Sequence, residues 1–467
     1  MADRLRQKLI QLRGRLDAWL FLPAPSTRGQ LGRWEYALLL VAVFVLLTIA
    51  ELFRPGISGS LRTLWAEDGV IVMQAALTHG FFHEIFTVYP EYLIVYPRLI
   101  GGIATWFPLA DAAVVVSGLA SATIALSGIV IWFASAAHLR NPWLRATFAI
   151  TVVLAPTAGL EAVGSAVYAS WYMVVASFWV LLYRPRTDLA AGALALFLLL
   201  TALSNPAVWF LAPLAGLRLL AIRDRRDAMI LGAYTLGCAA QVVATLQHPS
   251  ETTAAWSHLI VTGYFQRILA GAILGLNWSG DIWNRLGWGL LVPLIVLALI
   301  GLVAGLWRAR DGARFVALLA IGLSLLVWMV SMYQRAAGPA LAWPPGHHLE
   351  TGGRYAIIPA MLLLVAALVL LDDWLARGPR SGRLRIGVVA VAMAVPAISI
   401  ASSFYLAAVG RPVTPWKAAV QRADARCATR APEDAVTMLT SPPGYGITVP
   451  CEVVLSGGAS EPAPDQG

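Results

Sequence analysis

Long apolar runs alternate with short polar linkers from residue 34 to residue 409. About 20 consecutive apolar residues cross a bilayer core as an α-helix, so each run of this kind predicts a membrane-spanning helix. By this criterion the pattern predicts about eleven spans, at 34–52, 112–137, 143–159, 165–183, 188–204, 206–222, 228–247, 286–307, 314–333, 354–374 and 386–409. Backbone groups in lipid must be satisfied within the segment, which favours helices. We therefore predict an all-α, polytopic transmembrane protein.

The segment 1–33 precedes the first span and is basic. Its leucines recur at helical spacing, at Leu5, Leu9, Leu12 and Leu16. This pattern predicts an amphipathic helix on the cytoplasmic membrane surface, and a disordered basic arm is the alternative. The segment is too long and too charged for the start of a signal peptide, so we expect it to be retained.

A long loop, 53–111, follows the first span. Two of its segments, Glu67–His79 and Tyr92–Phe107, have helical patterns, but Pro97 and Arg98 interrupt the second one. We expect both to lie along the outer membrane interface without crossing it. The chain is thus divided into segment 1–33, a membrane domain at 34–409 that includes this loop, and a short tail at 410–467.

The composition supports a membrane protein, because only 13% of residues are charged and mean hydropathy is +0.71, against about 25% charged in soluble domains. The net charge of +9 does not indicate nucleic-acid binding, since the arginines lie between apolar runs. They concentrate in the linkers 138–145, 183–188, 222–227, 307–314 and 377–385. Basic linkers face the cytoplasm, and all five do so only if Tyr92–Phe107 does not cross. This places loop 53–111, loop 248–285, loop 334–353 and the tail on the outer face of a bacterial-type inner or plasma membrane.

Three cysteines are present, and Cys238 lies within an apolar run. Cys427 and Cys451 lie in the polar tail. In an oxidising compartment outside the cytoplasm these two could form a disulfide.

The most distinctive polar motif is Leu64–Gly69, in which Glu67 and Asp68 stand between Trp65 and Gly69. A carboxylate at a membrane surface can act as a general base or hold a divalent metal ion such as Mg²⁺ or Mn²⁺. A helix cap is the alternative, because acidic residues favour helix N-termini. The sequence holds no clear ligand set, so metal dependence stays open.

Cations and aromatic residues surround this motif in the predicted outer segments. Guanidinium groups bind phosphate through two hydrogen bonds, so we predict phosphate contacts for Arg98, Arg354, Arg335 and His348. For Arg98, pairing with Asp68 or snorkelling to the interface are alternatives. The predicted substrate contacts are Trp65, Tyr92, Tyr96, Glu161, Trp171 and Tyr355. An ordinary interfacial aromatic belt explains several of these equally well.

Together these features resemble the GT-C superfamily of membrane glycosyltransferases. The resemblance rests on the acidic pair Glu67-Asp68 in the first outer loop, the helices after it, Tyr96-Pro97-Arg98, and Arg354-Tyr355 at the start of a late span. It implies a polyprenyl-phosphate sugar donor, a glycan, lipid or protein acceptor, Asp68 as base or metal-binding carboxylate, and outer cations that neutralise the lipid phosphate. Many relatives carry a large soluble C-terminal domain, whereas this chain has a short tail.

The arrangement of the acidic pair also predicts the stereochemical outcome of a sugar transfer. A retaining route needs a second carboxylate about 5 Å away, and neighbouring helix residues point in different directions, so we expect inversion.

A polysaccharide polymerase or ligase is a rival function, because it would share lipid-linked substrates. A transporter would bind at the membrane midplane and often shows repeats. A scaffold without activity leaves the acidic pair unexplained.

Overall fold

A computed structural model describes residues 2–23, 31–54, 60–80, 84–89, 91–249, 254–334, 353–378, 382–404, 414–442 and 444–457. In chain order the α-helices are α1 (Ala2–Leu20), α2 (Arg33–Phe53), α3 (Gln74–His79), α4 (Val95–Ala104), α5 (Ala112–Ala134), α6 (Pro142–Val153), α7 (Ala166–Leu182), α8 (Asp188–Ala202), α9 (Ala212–Leu220), α10 (Arg225–Gln247), α11 (His258–Gly263), α12 (Gly271–Leu274), α13 (Leu276–Leu286), α14 (Trp288–Arg308), α15 (Asp311–Gln334), α16 (Arg354–Arg377), α17 (Gly382–Phe404), α18 (Trp416–Cys427) and α19 (Cys451–Leu455). The strands are β1 (Val88–Tyr89), β2 (Tyr92–Leu93), β3 (Ala435–Leu439) and β4 (Gly446–Pro450), paired as two antiparallel hairpins.

Seven helices in the described part of the chain are long and apolar enough to cross a membrane. They are α2, α10, α14, α15, α16, α17 and the helical stretch Leu109–Ala137, which contains α5. The prediction of an all-α, membrane-integral protein with several spans is thereby confirmed. The other four predicted spans correspond to α6, α7, α8 and the segment Pro206–Leu220, which are shorter apolar helices.

Helix α7 forms the centre of the bundle. Every residue of α7 except Trp171 is buried. Its neighbours include α5, α8 and α16. Since α7 is enclosed by protein along its whole length, its first turn can position side chains against several other helices at once.

The N-terminal segment is helical, as its leucine spacing predicts, and its second half docks on the bundle. Leu16 and Leu20 are buried. Asp17 forms ion pairs with Arg184 and Arg223, each at 2.8 Å. Helix α1 therefore packs against basic linkers that lie at one end of the bundle, which we call the basic end.

The first loop contains two short helical segments, as predicted. A π-helix, Asp68–Met73, leads into α3, and the hairpin β1–β2 leads into α4. Helix α4 has ten residues, about 15 Å at 1.5 Å per residue, which is too short to cross. Most of α4 is buried in the protein, so this helix packs against other parts of the chain, and its position at the membrane interface stays a prediction.

The predicted outer loop 248–285 is not a simple loop. Helix α11, a π-helix (Tyr264–Ala270) and α12 form an apolar, largely buried segment, followed by α13. Tyr264 bonds to Ser324 of α15 at 2.9 Å, and Trp328 donates to the carbonyl of Ile260 at 2.7 Å. Several glycines and Arg267 interrupt the hydrophobic pattern there, which is why the sequence did not predict this segment.

The tail folds as α18, the hairpin β3–β4 and α19, and the predicted disulfide between Cys427 and Cys451 is confirmed. The tail packs on the first loop. Trp416 donates to the carbonyl of Leu109 at 2.7 Å, and the amide of Thr448 donates to the side chain of Gln74 at 3.1 Å. Segments of the chain that are distant in sequence therefore build the surface around the acidic pair, at the end opposite the basic end.

Candidate functional site

The acidic pair follows a backbone turn that the tail holds in place. Trp65 and Ser441 form an isolated β-bridge, and the amide of Ser441 donates to the carbonyl of Leu64 at 3.0 Å. Ala66 has φ = 32°, a left-handed conformation that L-residues rarely adopt. Strain of this kind persists only where the surroundings enforce it, and it clusters at functional sites. The turn directs Glu67 and Asp68 into different surroundings.

Asp68 is buried and caps a distant helix. Its Oδ1 accepts from the hydroxyl of Ser165 at 3.1 Å and from the amide of Val167 at 3.0 Å, and its Oδ2 accepts from the amide of Ala166 at 3.2 Å. The acceptor atoms thus occupy the N-terminus of α7, where a negative charge is favoured. Burial raises the pKa of Asp68 to about 7, although the three hydrogen bonds oppose this shift.

Glu161 caps the N-terminus of α16 in the same way. Its Oε1 accepts from the backbone amide of Arg354 at 3.1 Å, and its Oε2 accepts from the guanidinium of Arg354 at 3.0 Å. Burial raises the pKa of Glu161, and the charge of Arg354 is the main opposing influence. Two acidic side chains therefore fix the first turns of α7 and α16 side by side.

Glu67 faces a cavity of about 400 Å³ at this end of the bundle. It is the one carboxylate, and Arg354 the one guanidinium, that line this cavity among the described residues. Glu67 Oε1 accepts from the hydroxyl of Tyr168 at 2.9 Å, and the same hydroxyl accepts from Arg354. A single tyrosine thus links the anion to the cation.

Aromatic rings form much of the cavity wall. The guanidinium of Arg354 lies 5.0 Å from the ring centroids of both Tyr168 and Tyr355. Trp171 meets Tyr355 edge to face with centroids 5.5 Å apart. The aromatic lining is completed by Tyr89, Tyr92, Trp209 and Phe210. Apolar faces with a few convergent polar groups are typical of small-molecule sites, and aromatic faces can stack on the C–H surface of a sugar ring.

The structure brings together about half of the predicted site residues. Glu67, Tyr92, Trp171, Arg354 and Tyr355 line the cavity. Glu161 supports it by holding Arg354.

Four predicted site residues lie elsewhere. Asp68 caps α7, and Trp65 bridges to the tail. The hydroxyl of Tyr96 bonds to Thr123. Arg98 is buried and pairs with Glu84 at 2.7 Å; burial lowers the pKa of Arg98, and Glu84 offsets part of this shift. Two further predicted phosphate contacts, Arg335 and His348, lie outside the described residues.

Two residues near the site were not among the predicted site residues. Tyr168 links Glu67 to Arg354, yet nothing in the sequence distinguishes it from Tyr172 one turn later. Arg267 is buried in the π-helix Tyr264–Ala270, and its charge acts on Glu161. A cation within an apolar segment is a recognisable signal, and it identifies Arg267 once that segment is read as part of the bundle.

The described residues do not fit a metal centre built on the acidic pair. Both oxygens of Asp68 already accept protein hydrogen bonds, and Glu67 points the other way into the cavity. Within the described ranges no group of three or more His, Cys, Asp or Glu side chains could hold an ion. Mg²⁺ requires near-octahedral oxygen ligands, which the acidic pair does not supply among the described residues.

Comparison of the sequence with protein-family models and with curated proteins gives no match. The functional assignment therefore depends on the chemistry of the cavity. In the described part of the chain, that chemistry consists of one carboxylate, one guanidinium, the tyrosine between them and an aromatic wall.

Proposed function

We propose that this protein is a membrane glycosyltransferase of the GT-C type. It transfers a sugar from a polyprenyl-phosphate donor to a glycan, lipid or protein acceptor of the cell envelope. The observation that carries the proposal is the cavity in which Glu67 and Arg354 meet across Tyr168 between aromatic walls. An acid–base group beside a phosphate-binding cation is what transfer from a lipid phosphate requires.

In the proposed reaction Glu67 is the general base. It removes the proton from the acceptor hydroxyl as the acceptor oxygen forms a bond to the anomeric carbon. The bond from that carbon to the phosphate oxygen breaks, and its electron pair leaves with the lipid phosphate. Arg354 stabilises the negative charge that develops there. Since Glu67 is the one carboxylate at the cavity among the described residues, a single displacement with inversion is the route that we propose.

Asp68 and Glu161 are proposed as positioning residues. Each carboxylate accepts the first backbone amides of a helix, α7 or α16, from which Tyr168 and Arg354 project. This moves the general-base role that the resemblance assigns to Asp68 onto its neighbour Glu67. Asp68 then contributes by fixing the first turn of α7 in place.

The proposed orientation places the basic end in the cytoplasm, because basic linkers remain on that side. The cavity then opens on the outer face of a bacterial-type inner or plasma membrane. A lipid-linked donor suits this face because it needs no soluble nucleotide sugar.

The cavity geometry favours a transferase over a transporter. Its lining comes from helix ends, including the first residues of α7 and α16 and the last residues of α15. Transporters of the common folds bind substrate near the membrane midplane. A polymerase or ligase acting on lipid-linked oligosaccharides is the remaining alternative.

The test uses the purified full chain in lipid nanodiscs with a panel of radiolabelled polyprenyl-phosphate monosaccharides. We expect release of lipid phosphate with one of these donors, and a loss of about 10²–10⁴-fold in Glu67→Gln, as is usual when a general base is removed. Glu433→Gln, in an exposed part of the tail, is the matched control. Turnover only with lipid-linked oligosaccharides would favour the polymerase, and wild-type rates in Glu67→Gln would remove Glu67 from the mechanism.

A further inference from the structure

A second cavity lies between α14, α16 and α17, away from the site above. It has a volume of about 480 Å³ and a mostly apolar lining. Leu364 and Leu371 of α16 face Ala392 and Val395 of α17, and Gly301 of α14 belongs to its wall. Helices α14, α16 and α17 therefore enclose a groove.

The groove is long enough for a lipid chain. Its lining on α16 runs from Leu363 to Arg377, a distance of about 21 Å at 1.5 Å per residue. Half of a bilayer core is about 15 Å thick. A chain that enters at the basic end can therefore lie along the helices through the whole of the nearer leaflet.

Arginines collect at the basic end of the groove. Arg308 and Arg377 belong to its lining, and a neighbouring cavity that shares Leu371 with it adds Arg383. Asp373 pairs with Arg377 at 3.0 Å and with Arg310 at 2.6 Å. Among the described residues no carboxylate forms an ion pair with Arg308 or Arg383. The mouth of the groove thus has an excess of positive charge.

We propose that this groove binds one phospholipid with an anionic headgroup, taken from the leaflet at the basic end. One acyl chain lies between α16 and α17, and the headgroup phosphate contacts Arg308 and Arg383. Guanidinium groups favour phosphate for its charge and its oxygen geometry, and arginines beside apolar surface attract anionic lipid. The bound lipid fills the space that separates α17 from its neighbours.

Gly301 offers a direct test of the acyl-chain position. A Cβ at Gly301 meets no atom within 4 Å, so Gly301→Leu extends into the groove without displacing the backbone. Gly289 lies on the same helix with equally open surroundings and does not line the groove, so Gly289→Leu is the matched control. The full-length protein is reconstituted in nanodiscs that contain equal amounts of phosphatidylglycerol and phosphatidylcholine. It is then released from them, and native mass spectrometry counts the lipids that stay bound.

We expect the wild type and Gly289→Leu to retain one phosphatidylglycerol, and Gly301→Leu to retain at least tenfold less. The double variant Arg308→Gln/Arg383→Gln leaves the groove open, and we expect it to lose the preference for phosphatidylglycerol about tenfold. Arg285→Gln/Arg422→Gln, exposed at the other end, should keep that preference. Equal retention of both lipids by the wild type, or wild-type retention in both the Gly301 and the arginine variants, would overturn the proposal.

Discussion

The carboxylate of Glu67 and the guanidinium of Arg354 meet at one atom, the hydroxyl oxygen of Tyr168. Tyr168→Phe removes both hydrogen bonds and keeps the ring. Hydrogen bonds to charged groups contribute about 1.5–3 kcal/mol, so we expect turnover with the lipid-phosphate donor to fall about ten- to hundredfold and the melting temperature to fall as well. Tyr445→Phe, in the tail, is the control. Wild-type turnover in Tyr168→Phe would mean that the linkage has no part in the reaction.

Asp68 makes stability depend on pH. Its pKa is raised from 3.8 to about 7 in the folded protein, so the folded state holds the proton more tightly than the unfolded state does. Its contribution is complete below about pH 4 and is lost as the pH rises through about 7. We expect the free energy of unfolding of the wild type to fall across this window, measured by denaturant titration in detergent.

Asp68→Asn removes the pH dependence that comes from Asp68 and leaves Glu161, the other helix-capping acid at this site, unchanged. We expect a flatter pH profile in the variant than in the wild type. At pH 8 we expect the free energy of unfolding of the variant to equal or exceed that of the wild type, because the neutral amide escapes the burial penalty of the ionised carboxylate and Asn caps helices about as well as Asp does. Identical pH profiles for the two proteins would contradict the burial of Asp68.

Gly353 precedes Arg354 in very tight surroundings. A Cβ at this position would lie 2.2 Å from the amide nitrogen and 2.6 Å from the Cα of Gly159. Because these are backbone atoms, Gly353→Ala must shift the start of α16 and carry Arg354 away from Glu161 and Tyr168. We expect at least a tenfold loss of transfer. Gly322→Ala, whose Cβ would meet open space, should have no effect; equal activity of the two variants would refute the positional argument.

The disulfide between Cys427 and Cys451 joins residues 24 positions apart. A loop of this size predicts about 3 kcal/mol of stabilisation of the folded tail. The double variant Cys427→Ser/Cys451→Ser should therefore unfold its tail at lower denaturant and lose transfer, because the tail holds the turn at Ala66. Cys238→Ser is the control. Full transfer activity after reduction of the disulfide would mean that the fold of the tail does not affect the site.

The orientation of the chain is tested by thiol labelling in a Cys238→Ser background. Glu433→Cys in the tail and Arg186→Cys in a basic linker both occupy exposed positions. We expect an impermeant maleimide to label Glu433→Cys in intact cells and Arg186→Cys only after permeabilisation. The reverse result would invert the proposed topology.

The long spans could be predicted from sequence because their apolar runs are uninterrupted. The predicted span 354–374 compares with α16 at Arg354–Arg377, and 286–307 compares with α14 at Trp288–Arg308. The segment 258–274 could not be predicted, since its glycines and Arg267 break the run while tertiary contacts bury it.

The cavity was predictable in its residue types and not in their roles. Glu67 and Asp68 are adjacent acids, and only the backbone of Ala66 decides which one faces the cavity. Arg98 and Arg354 are both cations near apolar helices, yet Glu84 pairs with the first one in the protein interior, away from the cavity. Such partners come from distant parts of the chain, which local patterns do not reveal.

The bridge between Trp65 and Ser441 has a consequence for biogenesis. The ribosome makes Trp65 early and Ser441 only after α17. Ser441, which fixes the turn at Ala66, is therefore synthesised after all the membrane helices. A newly synthesised chain therefore passes through a stage at which its membrane helices are inserted while Glu67 is not yet oriented. Activity should appear only when the tail has reached the acidic motif, and a shortened chain can insert normally and still be inert.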